Sequence, residues 1–344
     1  LAPYLRPGRP VVDTLESHRR RGRGPRIVVI GGGHGLATLL RGLKEHTYNL
    51  TAIVTVADDG GSSGRLRSNL GVLPPGDIRN CLAALSNDET LIKQLFQYRF
   101  SGEGNGLEGH SFGNLFISAL SEITGSFEEA IAESGRVLSV HGRVLPATLH
   151  DVRLVADLAM PLVAAEVRVR GESQIPTTAG NVRRVWLEPN SPPAYPEAVN
   201  ALLSAELIVI GPGSLYTSIL PNLLVPDLTA AVRNSPALKI FICNVATQPG
   251  ETDGYDCGDH IRGLEAHVGP GFFDLVVSNQ QNTKQPPSGS QWVVADEELG
   301  KKYALYRADV ADPEKPGHHR ADRLAQLLID LLQERTGPLA GREN

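Results

Sequence analysis

Glycine-rich turns between predicted strands and helices are the part of this sequence best suited to bind a ligand. The first turn, residues 31–35 (GGGHG), follows an apolar strand and precedes leucines at helical spacing. Glycines let the backbone approach a phosphate closely, and a helix N-terminus offers free N–H donors. The dinucleotide fingerprint G-x-G-x-x-G does not fit, because Leu36 and Thr38 stand where its last glycine belongs. The turn therefore predicts an anionic or nucleotide ligand without identifying it.

A second group of ligand-binding residue types follows the second predicted strand, in residues 57–67 (ADDGGSSGRLR). Asp58 stands at the end of that strand, where an acid can accept a hydrogen bond from a ribose hydroxyl or bind a hydrated Mg²⁺. The hydroxyls of Ser62 and Ser63 and the guanidinium of Arg65 suit a phosphate or a carboxylate. We therefore expect an anion-binding loop here rather than an ordinary polar surface loop.

Two predicted helices begin with polar residues that can face the same ligand. Asp77 is placed to cap the first of them, and Arg79 and Asn80 lie on its first turn. His110 precedes the second helix, where it is either structural or a general acid or base, and Asn114 is a candidate donor to a transferring group. Capping alone explains Asp77, so neither helix start establishes catalysis by itself.

Two further polar turns follow apolar strands in the second half of the chain. Residues 210–218 (IGPGSLYTS) end the strand ELIVI, and residues 244–254 (NVATQPGETDG) continue from the strand KIFIC. The carboxyl ends of parallel strands meet at one edge of a sheet, which is where α/β proteins bind their ligands. We therefore expect these turns to converge with residues 31–35 and 57–67 on a single site.

The order of the predicted elements indicates an α/β fold. Apolar strands are predicted at 26–30, 50–56, 206–210, 239–245 and 274–278. Helices are predicted at 77–86, 89–99, 111–124, 126–134 and 321–333. Strands that are apolar throughout are typical of a parallel sheet covered by helices on both faces. The sequence therefore predicts a doubly wound, Rossmann-like, mostly parallel sheet.

The domain organisation follows from changes in composition along the chain. We predict one α/β domain over residues 26–335, a basic leader or linker at 1–25 and a tail at 336–344. Five stretches with strand character, beginning with GRVLSV, predict an inserted β-rich subregion within 136–190. Residues 282–300 are predicted to be a surface excursion.

Composition and charge disfavour several classes of protein. Of the 344 residues 41% are hydrophobic and 21% charged, with a net charge of −5, so neither a disordered chain nor a nucleic-acid binder is indicated. No apolar run approaches the ~18 residues of a membrane span. Three cysteines without CxxC spacing favour a reducing, cytoplasmic setting over a disulfide scaffold. His318 and His319 lack a third metal ligand at regular spacing, so we interpret them as a polar lead-in to the last helix.

The first 26 residues carry seven arginines against Asp13 and Glu16. A stretch of this kind predicts a solvated leader, with an anionic membrane or nucleic acid as less favoured contacts. The chain begins at Leu1 rather than at a methionine, so a missing N-terminal segment that tethers the protein to a membrane is an open hypothesis. A homo-oligomer is the base-rate expectation for its assembly.

Taken together, six motifs resemble the gluconeogenesis-factor (YvcK-like) proteins. They are GGGHGLATLLRGL, TAIVTVADDGGSSGRLR, PPGDIRNCLAALS, GHSFGNL, LIVIGPGSLYTSILPNLLV and CNVATQPGETDGY, and the resemblance covers about residues 26–335. These proteins are similar to 2-phospho-L-lactate transferase (CofD-like) and belong to its superfamily. Members mostly carry Thr where this chain has His34.

The resemblance implies a Rossmann-like fold with a sugar-nucleotide site. By position, the first glycine turn, Asp58 and residues 211–214 would hold the nucleotide, and the loop after Asn244 would close on the rest of the ligand. Asp58 and Asp77 would be the metal region, and His110 and Asp77 are the catalytic candidates. The full set of nucleotide- or phosphate-binding candidates is Gly31, Gly32, Gly33, His34, Gly35, Asp58, Asp59, Ser62, Ser63, Arg65, Arg79, Asn80, Asn114, Gly211, Gly213, Ser214, Leu215, Tyr216, Asn244, Thr247, Gln248, Glu251 and Thr252.

The resemblance leaves two functional alternatives. The first is a non-catalytic regulatory protein that binds UDP-sugars such as UDP-N-acetylglucosamine and supports cell shape and envelope synthesis during gluconeogenic growth, with peptidoglycan-synthesis proteins as partners. The second is a Mg²⁺-dependent CofD-like transferase that moves a phospholactyl-type group from a guanylylated donor to a deazaflavin. We favour the first, because the loops DDGGSSGRLR and TQPGETDGY resemble YvcK-like members. The broken fingerprint disfavours a NAD(P)-dependent oxidoreductase.

Overall fold

A parallel sheet with helices on both faces forms the centre of the protein. The computed structural model describes residues 11–86, 91–102, 106–160, 165–280 and 285–336. The strands in chain order are β1 (Ile27–Gly31), β2 (Leu50–Val54), β3 (Arg143–Pro146), β4 (Arg153–Ala159), β5 (Glu166–Arg170), β6 (Asn181–Glu188), β7 (Leu207–Ile210), β8 (Leu238–Ile242), β9 (Leu275–Asn279) and β10 (Leu305–Ala308).

The strand order confirms the doubly wound, Rossmann-like prediction. In the described residues seven strands form one sheet in the order β10-β9-β8-β7-β1-β2-β3, and all its neighbouring strands pair in parallel. From the central β1 the chain winds outward through β2 and β3, then returns to β7 on the other side and winds outward again. The reversal between β1 and β7 opens a crevice at the carboxyl ends of these two strands, where folds of this class place a ligand.

The helices complete the two outer layers. In chain order they are α1 (Val11–Gly22), α2 (Gly33–Leu43), α3 (Gly61–Leu70), α4 (Gly76–Leu85), α5 (Leu91–Gln97), α6 (Phe112–Thr124), α7 (Phe127–Val137), α8 (Pro196–Leu203), α9 (Leu220–Leu223), α10 (Pro226–Asn234), α11 (Cys257–Val268), α12 (Glu297–Lys302) and α13 (Ala321–Thr336). A 3-10 turn at Glu172–Gln174 and a π-helical turn at Leu215–Ile219 supplement them. In one layer α2 packs against α4 and α13, and in another α8 packs against α10.

The apolar strands explain why the sheet lies between two layers. Ile27, Val29 and Ile30 of β1 are fully buried, as are Ile208, Val209 and Ile210 of β7. Because successive strand side chains point to opposite faces, burial at consecutive positions requires a covering layer on each face. The central strands are therefore rigid supports for the turns that follow them.

The inserted β-rich subregion forms a separate small sheet. In the described residues β5, β4 and β6 pair antiparallel in that order, whereas β3 joins the main sheet beside β2. The predicted strand GRVLSV is wrong, because α7 continues to Val137. Helix α7 is capped by Ser126 and buries Phe127, Ala130, Ile131 and Ser134 at helical spacing, which outweighs the short β-branched stretch that follows.

The leader differs from expectation, whereas the last helix does not. Helix α1 lies inside the predicted leader and is attached to the domain by an Arg21–Glu45 ion pair of 2.8 Å and by the Tyr48 amide, which donates to the Arg21 carbonyl. The last predicted helix is confirmed as α13. Residues 1–10 of the leader and 337–344 of the tail lie outside the described residues.

The stretch predicted as a surface excursion is anchored to the core. Trp292 pairs with Ala246 in a β-bridge, and Val293 is 1% exposed. Helix α12 and strand β10 follow, neither of which the sequence analysis predicts. Residues 281–284 lie outside the described part of the chain.

No single helix of the described ranges has the length and apolar character to cross a membrane. One bent pair, Leu215–Leu223 with Pro226–Asn234, meets those criteria only when its two parts are joined. Its apolar side chains are core residues, since Leu220, Leu228 and Val232 are fully buried.

Candidate functional site

A cleft of about 650 Å³ opens at the carboxyl edge of the sheet, where the strand order reverses. The turns after β1, β2, β7 and β8 all contribute to it, as the sequence predicts. Its lining residues are Gly32, Gly33, His34, Gly35, Thr38, Thr55, Asp58, Asp77, Glu172, Pro176, Pro212, Gly213, Ser214, Thr217, Ser218, Asn244, Ala246, Thr247, Gln248, Pro249, Glu251, Pro287, Ser290, Gly317, His318 and His319.

The first glycine turn is shaped around a carboxyl group of the protein itself. Gly33 has a φ of +63°, which glycine adopts without strain, and α2 begins there. The Gly33 amide donates a hydrogen bond to Asp77, and a Cβ on Gly32 would lie 2.5 Å from the Asp77 Oδ2. Asp77 therefore accepts a hydrogen bond from a backbone amide at the helix N-terminus. The sequence analysis had assigned that donor to a phosphate of the ligand.

The turn after β7 likewise donates hydrogen bonds to a carboxyl group of the protein itself. Glu251 accepts a hydrogen bond of 3.0 Å from the Thr217 hydroxyl and further bonds from the backbone amides of Tyr216 and Thr217. Its second oxygen, Oε2, is buried and has no hydrogen-bond partner in the described residues. A carboxyl of the loop after β8 thus accepts hydrogen bonds from the backbone amides at the N-terminus of the π-helical turn.

Close contacts tie the turns to one another. A Cβ on Gly35 would lie 2.7 Å from the Pro212 carbonyl oxygen, so only glycine allows this approach. Asn244 donates through Nδ2 to the Gly213 carbonyl at 3.0 Å. Gln248 donates through Nε2 to the Ser214 hydroxyl at 2.6 Å. These contacts hold the turns after β1, β7 and β8 as one rigid wall of the cleft.

One side of the cleft is acidic. Burial, followed by the charge of Asp58, raises the pKa of Asp77 to about 6. Burial raises the pKa of Glu251 to about 7. Burial also raises the pKa of Glu172 to about 9, and the carboxylates of Asp58, Asp77 and Glu251 add to that effect. The mutual influence of these groups places them close together, and protonation of some of them at neutral pH relieves their repulsion.

The other side carries histidines. Partial burial lowers the pKa of His34, and the positive charges of Arg41, Arg79 and Arg99 and nearby His318 lower it further. Burial lowers the pKa of His319 to about 4, and its Nε2 bonds to the Cys243 carbonyl at 3.2 Å. Among the described lining residues there is no Lys or Arg, so the positive charge that acts on His34 comes from arginines outside the lining.

Several predicted site residues lie beside the cleft in a polar network of Ser62, Arg79, His110, Ser111 and Asn114. The Ser62 hydroxyl lies 3.0 Å from the His110 Nδ1 and accepts from the Asn114 Nδ2 at 3.1 Å. Arg79 donates to the Asn114 Oδ1 at 3.0 Å and to the Ser111 hydroxyl. All five side chains are buried. These side chains bond mainly to one another, although the buried Arg79 Nε has no partner in the described residues. A role in ligand binding or catalysis for these residues stays a prediction.

The structure therefore divides the predicted candidates into two groups. Those in the cleft lining are Gly32, Gly33, His34, Gly35, Asp58, Asp77, Gly213, Ser214, Asn244, Thr247, Gln248 and Glu251. Those outside the lining are Gly31, Asp59, Ser62, Ser63, Arg65, Arg79, Asn80, His110, Asn114, Gly211, Leu215, Tyr216 and Thr252. Helix α3 explains part of the second group, since it begins at Gly61 and turns Ser62 and Ser63 inward while the exposed Arg65 reaches the Glu108 carbonyl at 2.6 Å.

The sequence analysis missed four notable lining residues. Thr217 follows directly after the predicted Tyr216, so its motif carried the signal. His318 and His319 precede α13 as expected, yet both also line the cleft. Glu172 comes from the antiparallel insertion, and no local motif marked it.

A magnesium ion fits this site only together with a ligand. Asp58 and Asp77 both line the cleft and interact electrostatically. In the residues that the structure describes, no group of three His, Cys, Asp or Glu side chains is arranged to hold a metal. Mg²⁺ commonly takes one or two carboxylates and completes its shell with water and substrate phosphates. Asp58 and Asp77 are the residues that would hold such an ion and neutralise phosphate charge through it.

Comparisons with known proteins agree with this architecture. The family model described as 2-phospho-L-lactate transferase CofD matches residues 27–311. The gluconeogenesis factor of Bacillus subtilis (strain 168) is 46% identical over 91% of this chain and 100% of its own length. A Nostoc sp. relative that carries this name provisionally is 52% identical over 96% of this chain and 74% of its own. A crystal structure from Bacillus halodurans matches with a TM-score of 0.83 at 42% identity, covering 89% of this chain and 100% of that one.

The sheet order and the cleft at its reversal define an α/β protein of the Rossmann-like class. The chain belongs to the CofD family, in the branch whose members are named gluconeogenesis factors.

Proposed function

We propose that the protein binds a nucleotide sugar of the UDP-N-acetylglucosamine type and acts as a regulatory factor that does not transform it. The observation that carries this proposal is the cleft at the reversal between β1 and β7, which the turns after four parallel strands line together. Its volume of about 650 Å³ lies within the range of small-molecule sites, roughly 300–1,000 Å³.

The uneven charge of the cleft supports a ligand with an anionic part and a polyol part. The diphosphate is expected near His34 and His318, where Arg41, Arg79 and Arg99 contribute positive potential. The sugar is expected near Glu172, because carboxyl groups accept hydrogen bonds from hydroxyls. A simple inorganic anion has no hydroxyl groups that could bind the carboxyls on the acidic side of the cleft.

The relatives supply the physiological part of the proposal. Proteins at 44–46% identity are named gluconeogenesis factors, and we infer the same role for this chain in growth on gluconeogenic carbon sources. We infer further that the ligand reports on precursor supply for the cell envelope, so that the protein supports cell shape. Enzymes of peptidoglycan synthesis are the proposed partners, in the cytoplasm, with the protein acting as a homo-oligomer.

Calorimetric titration with UDP-N-acetylglucosamine, GDP and NAD, each with and without Mg²⁺, tests the proposed ligand. We expect the UDP-sugar to bind with the highest affinity and to be recovered unchanged after incubation with the protein. Binding of GDP alone, or conversion of the UDP-sugar, would overturn the proposal.

The second candidate is a CofD-like, Mg²⁺-dependent transferase. The observation in its favour is the pair Asp58 and Asp77, two interacting carboxyls at the end of the cleft nearest the first glycine turn. Mg²⁺-dependent binding of GDP that is lost in Asp77→Asn would favour the transferase over the regulatory factor.

A further inference from the structure

A short segment of the antiparallel insertion reaches over to the cleft. We call residues 171–176 (GESQIP) the strap; it follows β5 directly and supplies Glu172 and Pro176 to the cleft lining. No sequence motif indicated that the strap lines the cleft. Its position depends on contacts with parts of the chain that are distant in sequence.

The strap is fixed at both of its ends. The Ser173 amide donates to the Asp59 Oδ1 at 2.9 Å, and the Asp59 carboxyl leaves no room for a side chain at Gly171, whose φ is +108°. At its other end the Pro176 carbonyl packs so closely on Gly250 that a Cβ there would clash. The strap thus connects the turn after β2 with the loop after β8.

The buried side chain of Ile175 attaches the strap to the core. Its side chain is fully buried in the core, whereas the neighbouring Gln174 and Pro176 are exposed. A buried side chain between two fixed ends leaves the segment little freedom to move away from the cleft. The carboxyl of Glu172 is consequently presented to the cleft by rigid backbone.

Glu172 faces the acidic side of the cleft. The charges of Asp58, Asp77 and Glu251 act on its carboxyl, and burial with these charges raises its pKa to about 9. A carboxyl that keeps its proton at neutral pH can both donate and accept a hydrogen bond, as a sugar hydroxyl does. Glu251 also lines the cleft, but its Oε2 is buried, so Glu172 is the carboxyl that we assign to the ligand.

His34 and His318, which also line the cleft, have different electrostatic surroundings. Partial burial lowers the pKa of His34, and the charges of Arg41, Arg79, His318 and Arg99 lower it further. Positive charge favours a diphosphate near His34, whereas the carboxylates that act on Glu172 disfavour one there. The cleft therefore orients a nucleotide sugar, with its phosphates away from the strap.

We propose that Glu172 selects the sugar: its carboxyl exchanges hydrogen bonds with hydroxyl or amide groups of the sugar while the diphosphate lies toward His34 and His318. This inference rests on the proposed function, since it assigns one part of the nucleotide-sugar ligand to one residue of the same cleft. The strap is then the element of the cleft that distinguishes a nucleotide sugar from the bare nucleotide.

The test compares UDP-N-acetylglucosamine with UDP by calorimetry on the full chain. In Glu172→Ala we expect the affinity for the UDP-sugar to fall about tenfold, as for the loss of one or two buried hydrogen bonds, and the affinity for UDP to stay within about twofold. Glu172→Gln, which still donates and accepts, keeps the UDP-sugar affinity within about threefold of the parent. The matched control is Glu166→Ala, an exposed position on β5 of the same small sheet.

Three results would overturn the proposal. An unchanged UDP-sugar affinity in Glu172→Ala contradicts a role for Glu172 alone and leaves the proposed function standing. Equal losses for UDP and the UDP-sugar contradict selection of the sugar. A parent protein that binds neither ligand removes the proposed function together with this inference. If Glu172→Ala does not fold, Glu172→Leu keeps the bulk, removes the hydrogen bonds and carries the same expectations.

Discussion

The cleft and the polar network beside it are built from similar side chains, but their hydrogen bonds are distributed differently. In the network, Arg79, Ser62 and Asn114 bond to one another and are buried. In the cleft, Asp58 and Glu172 are only partly buried and line open volume. Buried polar groups that bond to one another stabilise a fold, whereas partly exposed ones that line a cavity are available to a ligand.

This difference separates stability from binding. Substitutions in the network should change the free energy of unfolding, and substitutions in the cleft should change ligand affinity. Both regions lie at the same edge of the sheet and belong to neighbouring motifs of the sequence. Each of the following predictions tests whether the two effects can be separated as the contacts suggest.

The largest effect is expected in the network. Arg79→Ala removes the donor to Asn114 and Ser111 and leaves the buried Asn114 Oδ1 without that partner, so the free energy of unfolding should fall by about 3 kcal/mol. Urea denaturation measures this change. Arg99→Ala, at an exposed position nearby, is the control and should change stability by less than about 0.5 kcal/mol. A stable Arg79→Ala that has lost only ligand binding would place Arg79 in the binding site.

In the cleft, Asp58→Ala should weaken nucleotide-sugar binding by about 1–3 kcal/mol, because a charged hydrogen bond to the ligand is lost. Asp58 is only half-buried, and its main neighbours are the backbone of Gly60 and the Asp77 carboxyl. Relief of repulsion on Asp77 offsets part of the lost contacts, so stability should change little. Calorimetry on the variant measures the affinity, and an unchanged value would remove Asp58 from the binding residues.

The clustered carboxyls also predict how stability depends on pH. Folding raises the pKa of Asp77 to about 6, of Glu251 to about 7 and of Glu172 to about 9. The folded protein binds these protons more tightly than the unfolded chain, whose carboxyls ionise near about pH 4, so stability falls as the pH rises through these values. We expect a loss on the order of 4 kcal/mol between pH 6 and pH 8 in urea denaturation, more than half of it from Glu172.

Glu172→Gln cannot ionise and provides the matched comparison for that pH dependence. The variant should lose less stability than the parent over the same interval, because one of the three carboxyls no longer titrates. If the free energy of unfolding falls equally with pH in the two proteins, Glu172 is not held in the protonated form by its neighbours.

The smallest effect is expected at Arg65, which the sequence alone placed among the phosphate-binding residues. Its guanidinium is exposed, donates to the Glu108 carbonyl at 2.6 Å and does not line the cleft. Arg65→Ala should therefore weaken nucleotide-sugar binding by less than about 0.5 kcal/mol. A loss above about 1 kcal/mol in calorimetry would mean that the loop rearranges around the ligand.

The main sheet could be predicted from the sequence because local pattern and tertiary environment agree there. Apolar strands such as β1 and β7 are buried on both faces, so their composition reports their position directly. The prediction failed where the pattern was ambiguous. GRVLSV reads as a strand, yet its first half completes α7, whose cap and buried face lie upstream.

The candidate site could be predicted only where strand ends carry it. The turns after β1, β2, β7 and β8 lie in the cleft because parallel strands bring their carboxyl ends together. Glu172 and His319 reach the cleft from an inserted sheet and from the segment before α13, and their approach depends on packing between distant parts of the chain. The use of Asp77 and Glu251 at helix N-termini likewise depends on distances that no spacing in the sequence encodes.

One titration with a cleft-filling variant tests whether the ligand binds where the structure indicates. Thr38 lies on α2 and lines the cleft, so Thr38→Trp places an indole in the volume proposed for the nucleotide sugar. We predict that UDP-N-acetylglucosamine binds the parent with one equivalent per chain and binds Thr38→Trp at least about tenfold more weakly, with little change in thermal unfolding. Equal binding by the two proteins, or none by the parent, would contradict the assignment of this cleft as the nucleotide-sugar site.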